Sequence, residues 1–114
     1  MLKKRRWERK WKLRSSYQIN GLTWKVKLIR RQWFYFDGDP VVGATDFSDY
    51  TIKVAIGTRK KPRKVKEVQE TFWHEYFHAL LFSTEYILGV DPEKEERVAD
   101  TFAEMVADSM RRKK

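Results

Sequence analysis

Residues 71–82 read "TFWHEYFHALLF", and the two histidines of the 114-residue chain are both here. His74 and His78 stand four residues apart, with Glu75 directly after the first. At about 100° per residue, Phe72, Trp73, Tyr76, Phe77, Leu80 and Leu81 form a wide apolar face, which predicts an α-helix packed on a core. His74 and His78 fall one turn apart at an edge of that face, so their imidazoles can reach one metal ion. Glu75 points about 100° away, too far round to join that row but able to reach a water held by the ion. This is the H-E-x-x-H arrangement, two zinc ligands and a general base. A histidine at a helix edge is commonly a surface or core residue, but here the entire histidine complement of the chain makes the pattern.

Upstream of this helix the text reads as strands. In "LTWKVKLIR" (22–30), Leu22, Trp24, Val26 and Leu28 alternate with Thr23, Lys25 and Lys27, the period of a half-buried strand. "QWFYF" (32–36) extends it or makes a second strand, and "DGDP" (37–40) is a turn signal. "VVGATDF" predicts a short strand, and "SDYTIKVAIG" another with Tyr50, Ile52, Val54 and Ile56 on one face. The H-E-x-x-H helix is predicted from Pro62 or Arg63 to Tyr86. Gly89 suits the following turn. A second helix then opens at "VDPEKEE" (90–96) with Asp91 as N-cap and Pro92 as first helical residue, and runs to about Arg111. Strands followed by helices make the class α+β.

A catalytic zinc takes three protein ligands and keeps a fourth position for water. With no further histidine and no cysteine in the chain, the third ligand must be a carboxylate. The second helix offers Glu93, Glu95, Glu96, Asp100 and Glu104 beside an apolar stripe of Val98, Ala99, Phe102, Ala103, Val106 and Met110. Glu96 sits at the edge of that stripe, as His74 does on its own helix, and two antiparallel helices packed through these faces would bring the edges together. Glu96 is therefore the expected ligand. Asp100, one turn on, is the runner-up, or else an acceptor for a histidine N–H. Glu95 points about 100° away and is expected in solvent; Glu93 and Glu104 are expected as helix-surface charges.

Length and composition predict one domain. The absence of cysteine excludes a disulfide framework and a thiol nucleophile, and fits a reducing cytosol. No apolar run reaches the roughly 18–20 residues of a membrane span, so a cytoplasmic protein with no membrane partner is expected. The formal net charge is +9, concentrated in "KKRRWERKWKLR" (3–14), "RKKPRKVK" (59–66) and "RRKK" (111–114). Such segments favour nucleic acid or acidic partners. In the first, Trp7 and Trp11 interleave with the cations; they either stack on bases or cover an edge of the core. Residues 1–16 are read as a basic N-terminal arm and 17–114 as the folded domain.

With these residues in hand, positions 74–103 resemble the ImmA/IrrE group of zinc metallopeptidases and their small phage and prophage relatives. These combine HExxH with a downstream E-x-x-A-[ND]-x-F-A helix, matched here by Glu96-Arg97-Val98-Ala99-Asp100-Thr101-Phe102-Ala103. "VVGATDFSDYTIKVA" is similar to the strand pair that precedes HExxH in the small members, with G-x-T and then an edge strand. The resemblance implies a minimal zincin-like fold, with a small, mainly antiparallel sheet followed by the HExxH helix and a C-terminal helix supplying Glu96 as third ligand. It implies Tyr50 to Ile56 as the edge that aligns a peptide substrate. It also implies a bacterial or phage-infected cell as the setting. The chain departs from the larger members in reading "EMVADSMRRKK" after this pattern. SprT-like proteases resemble it less well, since they use a third histidine.

The expected activity is hydrolysis of peptide bonds in a protein substrate, such as a DNA-bound regulator. One Zn²⁺ per chain, on His74, His78 and Glu96, would lower the pKa of a water towards about 7. Glu75 would take its proton and return it to the leaving amine. For the oxyanion, Tyr50, Tyr86 or a backbone N–H are the candidates. The alternative is a basic nucleic-acid-associated protein with a structural or vestigial zinc site, which would have no need of Glu75.

Overall fold

The computed structural model describes residues 11–19, 21–83 and 92–112. Trp7, Tyr86, Gly89 and Asp91, to which the sequence reading gave roles, lie outside them. The strands are β1 (Ser16–Ile19), β2 (Leu22–Ile29), β3 (Phe34–Phe36), β4 (Asp39–Val41), β5 (Gly43–Asp46) and β6 (Thr51–Ala55). The helices α1 (Val65–Ser83) and α2 (Pro92–Arg112) follow. The architecture is α+β. A four-stranded sheet runs in the order β1-β2-β6-β5, with β3 and β4 forming a separate hairpin. Pairing is antiparallel except between β2 and β6, which run parallel with Val26 opposite Ile52 and Leu28 opposite Val54.

β2 follows its alternation: Trp24 is buried, Leu22, Val26 and Leu28 are partly so, and Thr23, Lys25 and Lys27 face solvent. β6 does not stop at alternation. Ile52, Val54 and Ile56 enter the main core with Trp24, Val68 and Phe72, while Ala55 joins Phe34 and Ala44 in a second cluster on the opposite face. The β3–β4 hairpin supplies this second layer. Its two-residue turn has positive φ at both Asp37 (51°) and Gly38 (85°), the primed turn that matches strand twist and favours Asp-Gly.

Two expectations change here. The segment Tyr50 to Ile56 is not an edge: β6 lies between β2 and β5, and the edge strands are β1 and β5. The pairing of β2 with β6 spans some 25 residues and leaves no local mark in the sequence. Tyr50 itself stands outside the strand with φ 48°, its ring 5.4 Å from that of Trp24. The residue 16/17 boundary also moves, because Trp11 and Leu13 are core residues. The Gln69 side chain, 1% exposed, donates a hydrogen bond to the Trp11 carbonyl. Trp11 thus covers the core and is withdrawn from any stacking on bases.

α1 starts two or three residues later than its apolar pattern, because the Arg63 amide donates to the Ile56 carbonyl (3.0 Å) and prolongs the sheet. At its other end, Trp24 Nε1 donates to Ser83 Oγ at 2.7 Å inside the core. α2 packs on α1 through Ala99, Ala103 and Ala107, all buried, with Phe102 and Phe77 rings 5.3 Å apart. Small residues at this spacing let two helices approach closely. Val98, placed on this stripe by the sequence, is half exposed, whereas Ala107, two turns on from Ala99 and one from Ala103, is buried. Among the described residues no helix is long and apolar enough to cross a membrane.

Candidate metal centre

The close α1–α2 packing brings the histidine row of one helix against the acidic row of the other. Nε2 of His74 and Nε2 of His78 are 3.3 Å apart. The Glu96 carboxylate caps the pair, Oε1 at 2.9 Å from His78 Nε2 and Oε2 at 3.2 Å from His74 Nε2. Two ligands held at about 2.0–2.1 Å by one tetrahedral ion stand about 3.3–3.4 Å apart, close to the observed nitrogen separation. His74, His78 and Glu96 therefore form a group that could hold a metal ion.

The opposite edges of both rings decide which atoms face this point. His74 Nδ1 lies 2.7 Å from Asp100 Oδ1, and His78 Nδ1 lies 2.6 Å from Glu95 Oε2. A carboxylate only accepts, so each Nδ1 carries the proton and donates. In the neutral rings both Nε2 atoms then present lone pairs to one another and to the Glu96 carboxylate. Three acceptors within about 3 Å of one another repel, and one cation among them satisfies all three. Carboxylates behind ligating histidines are the usual way to fix tautomer and ring orientation.

Asp100 thus takes the supporting role that was its second reading, leaving Glu96 to face both Nε2 atoms. Glu95 differs from expectation: its side chain is one-third exposed and engages His78. The His78 ring is held between consecutive α2 residues, Glu95 on one nitrogen and Glu96 on the other. Replacing Glu95 by alanine is expected to weaken metal binding about 10- to 100-fold without abolishing it, read by competition with a chromogenic chelator.

Glu75 lies on the adjoining face of α1, against β5. Thr45 Oγ1 sits 2.7 Å from Glu75 Oε1 and 3.0 Å from the Glu75 carbonyl, so its single proton is shared between the two. Burial pushes the Glu75 carboxyl above the usual carboxylate range, against the opposing effects of Thr45 and both histidines. Gly43 makes the approach of β5 possible. A Cβ there would meet Thr71 Cγ2 at 2.5 Å and Glu75 Oε2 at 3.2 Å. Gly43→Ala is expected to cost about 1–3 kcal/mol through overpacking, read as a melting temperature lower by several degrees.

β5, the β3–β4 hairpin, α1 and α2 enclose an open groove of about 740 Å³ that contains His74, Glu75 and Asp100. Arg63 closes one end, donating to the Ala55 carbonyl (2.6 Å) and to Thr71 Oγ1 (3.2 Å). Neither Tyr50, which packs on Trp24, nor the remaining tyrosines described line this groove. Sequence reasoning missed Thr45 and Glu95. Thr45 had a signal in the Gly43-Ala44-Thr45 triplet; Glu95 had none beyond being a carboxylate next to Glu96. No family model, curated protein or solved structure matches the chain.

Proposed function

We propose that the protein is a zinc-dependent metallopeptidase of minimal zincin-like fold, related to the ImmA/IrrE group, with one zinc ion held by His74, His78 and Glu96. The observation that carries this reading is the convergence of three acceptors, with both histidine tautomers fixed from behind, where one of them, His74, shares a groove with Glu75, a buried carboxylate that is not part of the triad. A purely structural site would have no use for Glu75. Two histidines and a glutamate are a zinc hydrolase ligand set.

Zinc, when bound, supplies a Lewis acid that brings the pKa of a water towards about 7 and polarises a carbonyl. The remaining work falls to the chain. Glu75 accepts the proton of the attacking water and delivers it to the leaving amine, while the water oxygen becomes bonded to the carbonyl carbon. Hydrolysis balances with no other reactant. Thr45 holds Glu75 Oε1, so that Oε2 is the oxygen left for proton transfer. A carboxyl raised by burial is better matched to giving the proton back near neutral pH than an ordinary glutamate. Asp100 and Glu95 keep the imidazoles in the Nδ1–H form.

Metal removal tests this directly. The zinc-loaded chain is expected to cleave members of a mixed peptide library, followed by mass spectrometry. Cleavage should stop with 1,10-phenanthroline and return with added zinc. Cleavage indifferent to chelation, or a chain that takes up no metal, would overturn the reading.

A further inference from the structure

The groove differs in character from the rest of the molecule. The chain carries +9, yet the residues lining the groove include five carboxylates, Glu67, Glu70, Glu75, Asp100 and Glu104, and one cation, Arg63. Most of these charges are accounted for. Glu75 and Glu96 would balance a bound dication, Asp100 receives the His74 N–H, and Arg63 lies in the field of Glu67. Glu70 and Glu104 remain. The Glu70 side chain is 29% exposed and has only a long i,i+4 ion pair, 4.0 Å from its Oε2 to the largely exposed Lys66 Nζ, with no hydrogen-bond donor to that oxygen. Glu104 makes no ion pair or hydrogen bond among the described residues. An exposed i,i+4 pair at this length contributes little, so both carboxylates keep capacity for a further cation.

Part of the groove's lining is apolar. Trp33 and Val42 line the groove with Pro40 and Val41, and Trp33 and Val42 are 47% and 42% exposed. Neither belongs to the core of the hairpin, which is Phe34, Ala44 and Ala55. Large exposed apolar side chains lining the same concave surface as weakly paired carboxylates mark a binding surface.

We propose that the groove selects an extended peptide carrying a lysine or arginine next to an apolar residue. The cation sits against Glu70 and Glu104, and the apolar side chain against Trp33 and Val42. The inference rests on the peptidase reading, whose substrate it names, but its test reads binding and so can fail separately. Bulk electrostatics give it a sharp sign: a chain of +9 attracts an acidic peptide and repels a basic one. A preference for the basic peptide must come from the groove.

The experiment uses the full chain as Glu75→Gln, zinc-loaded, and two fluorescein-labelled octapeptides, one alternating leucine with lysine and the other leucine with glutamate. Anisotropy is expected to show the lysine peptide binding about tenfold more tightly. Glu70→Gln with Glu104→Gln should bring the two peptides within about twofold, at unchanged zinc content and helical circular dichroism. Glu104→Gln alone, at an exposed α2 position, should narrow the gap part-way. Equal or tighter binding of the glutamate peptide, or a preference that survives both substitutions, would overturn the proposal. If the lysine peptide binds preferentially but the unsubstituted chain never cleaves it, the peptidase reading falls and the groove's selectivity stands.

Discussion

Replacing Glu96 by alanine is expected to lower the metal affinity of the chain at least a hundredfold, so that the purified variant carries little or no metal. Structural zinc sites bind with about 10–16 kcal/mol shared over their ligands. Losing one ligand of three therefore removes a few kcal/mol, and two imidazoles at 3.3 Å remain as the whole site. The fold should survive, because the Glu96 side chain is 58% exposed and its hydrogen bonds and ion pairs among the described residues are those to the two histidines. Asp100→Ala makes the informative control. It removes a supporting hydrogen bond to His74 but leaves the ligand set whole, and should weaken binding about 10- to 100-fold. Elemental analysis with a chelator competition reads both. Full metal content at unchanged affinity in Glu96→Ala would remove Glu96 from the site. An Asp100→Ala variant worse than Glu96→Ala would exchange the roles of the two carboxylates.

Much of this site was legible because helical geometry is local. The spacing of His74 and His78 fixes both on one face, and the edge position of Glu96 beside Ala99 and Ala103 fixes which carboxylate meets them once the helices pack. Glu95 escaped the same logic for a physical reason. A sequence reading treats each side chain as a short radial vector, which puts Glu95 about 100° from Glu96 and into solvent. A glutamate is long enough to fold back, and an imidazole offers nitrogens on two sides, so neighbouring helix positions can each take one. His78 is held in this way. The sheet shows the matching limit. Alternation in β2 and the Asp-Gly turn of the hairpin are local and were readable. That β6 pairs in parallel with β2, and so lies inside the sheet with β5 at its edge, depends on contacts between distant residues. The burial of Ala55 on the second face follows from the hairpin covering it, which no property of "TIKVA" itself announces. Thr45 was visible as part of a triplet, but its bond to Glu75 depends on which strand runs beside α1.

Glu75→Gln separates chemistry from architecture. Glutamine keeps the shape of the side chain, so the clearance beside Gly43 is unchanged, and its Oε1 still accepts from Thr45. It cannot take a proton from water. On the proposed reading, hydrolysis should fall by about 10²- to 10⁴-fold, the span over which a positioned general base acts, with metal stoichiometry and affinity retained. Stability supplies a second, independent reading. Burial raises the Glu75 carboxyl pKa in the folded chain, so the ionised form is penalised there relative to the unfolded chain. That penalty is absent at pH values below the unfolded carboxyl range, about 4.3, and grows as pH rises through it. The metal-free glutamine variant is accordingly expected to melt higher than the metal-free parent at pH 7, and the advantage should vanish towards pH 4. Undiminished hydrolysis in the variant would remove Glu75 from the reaction. Loss of zinc along with activity would make Glu75 a member of the metal site rather than a base acting beside it.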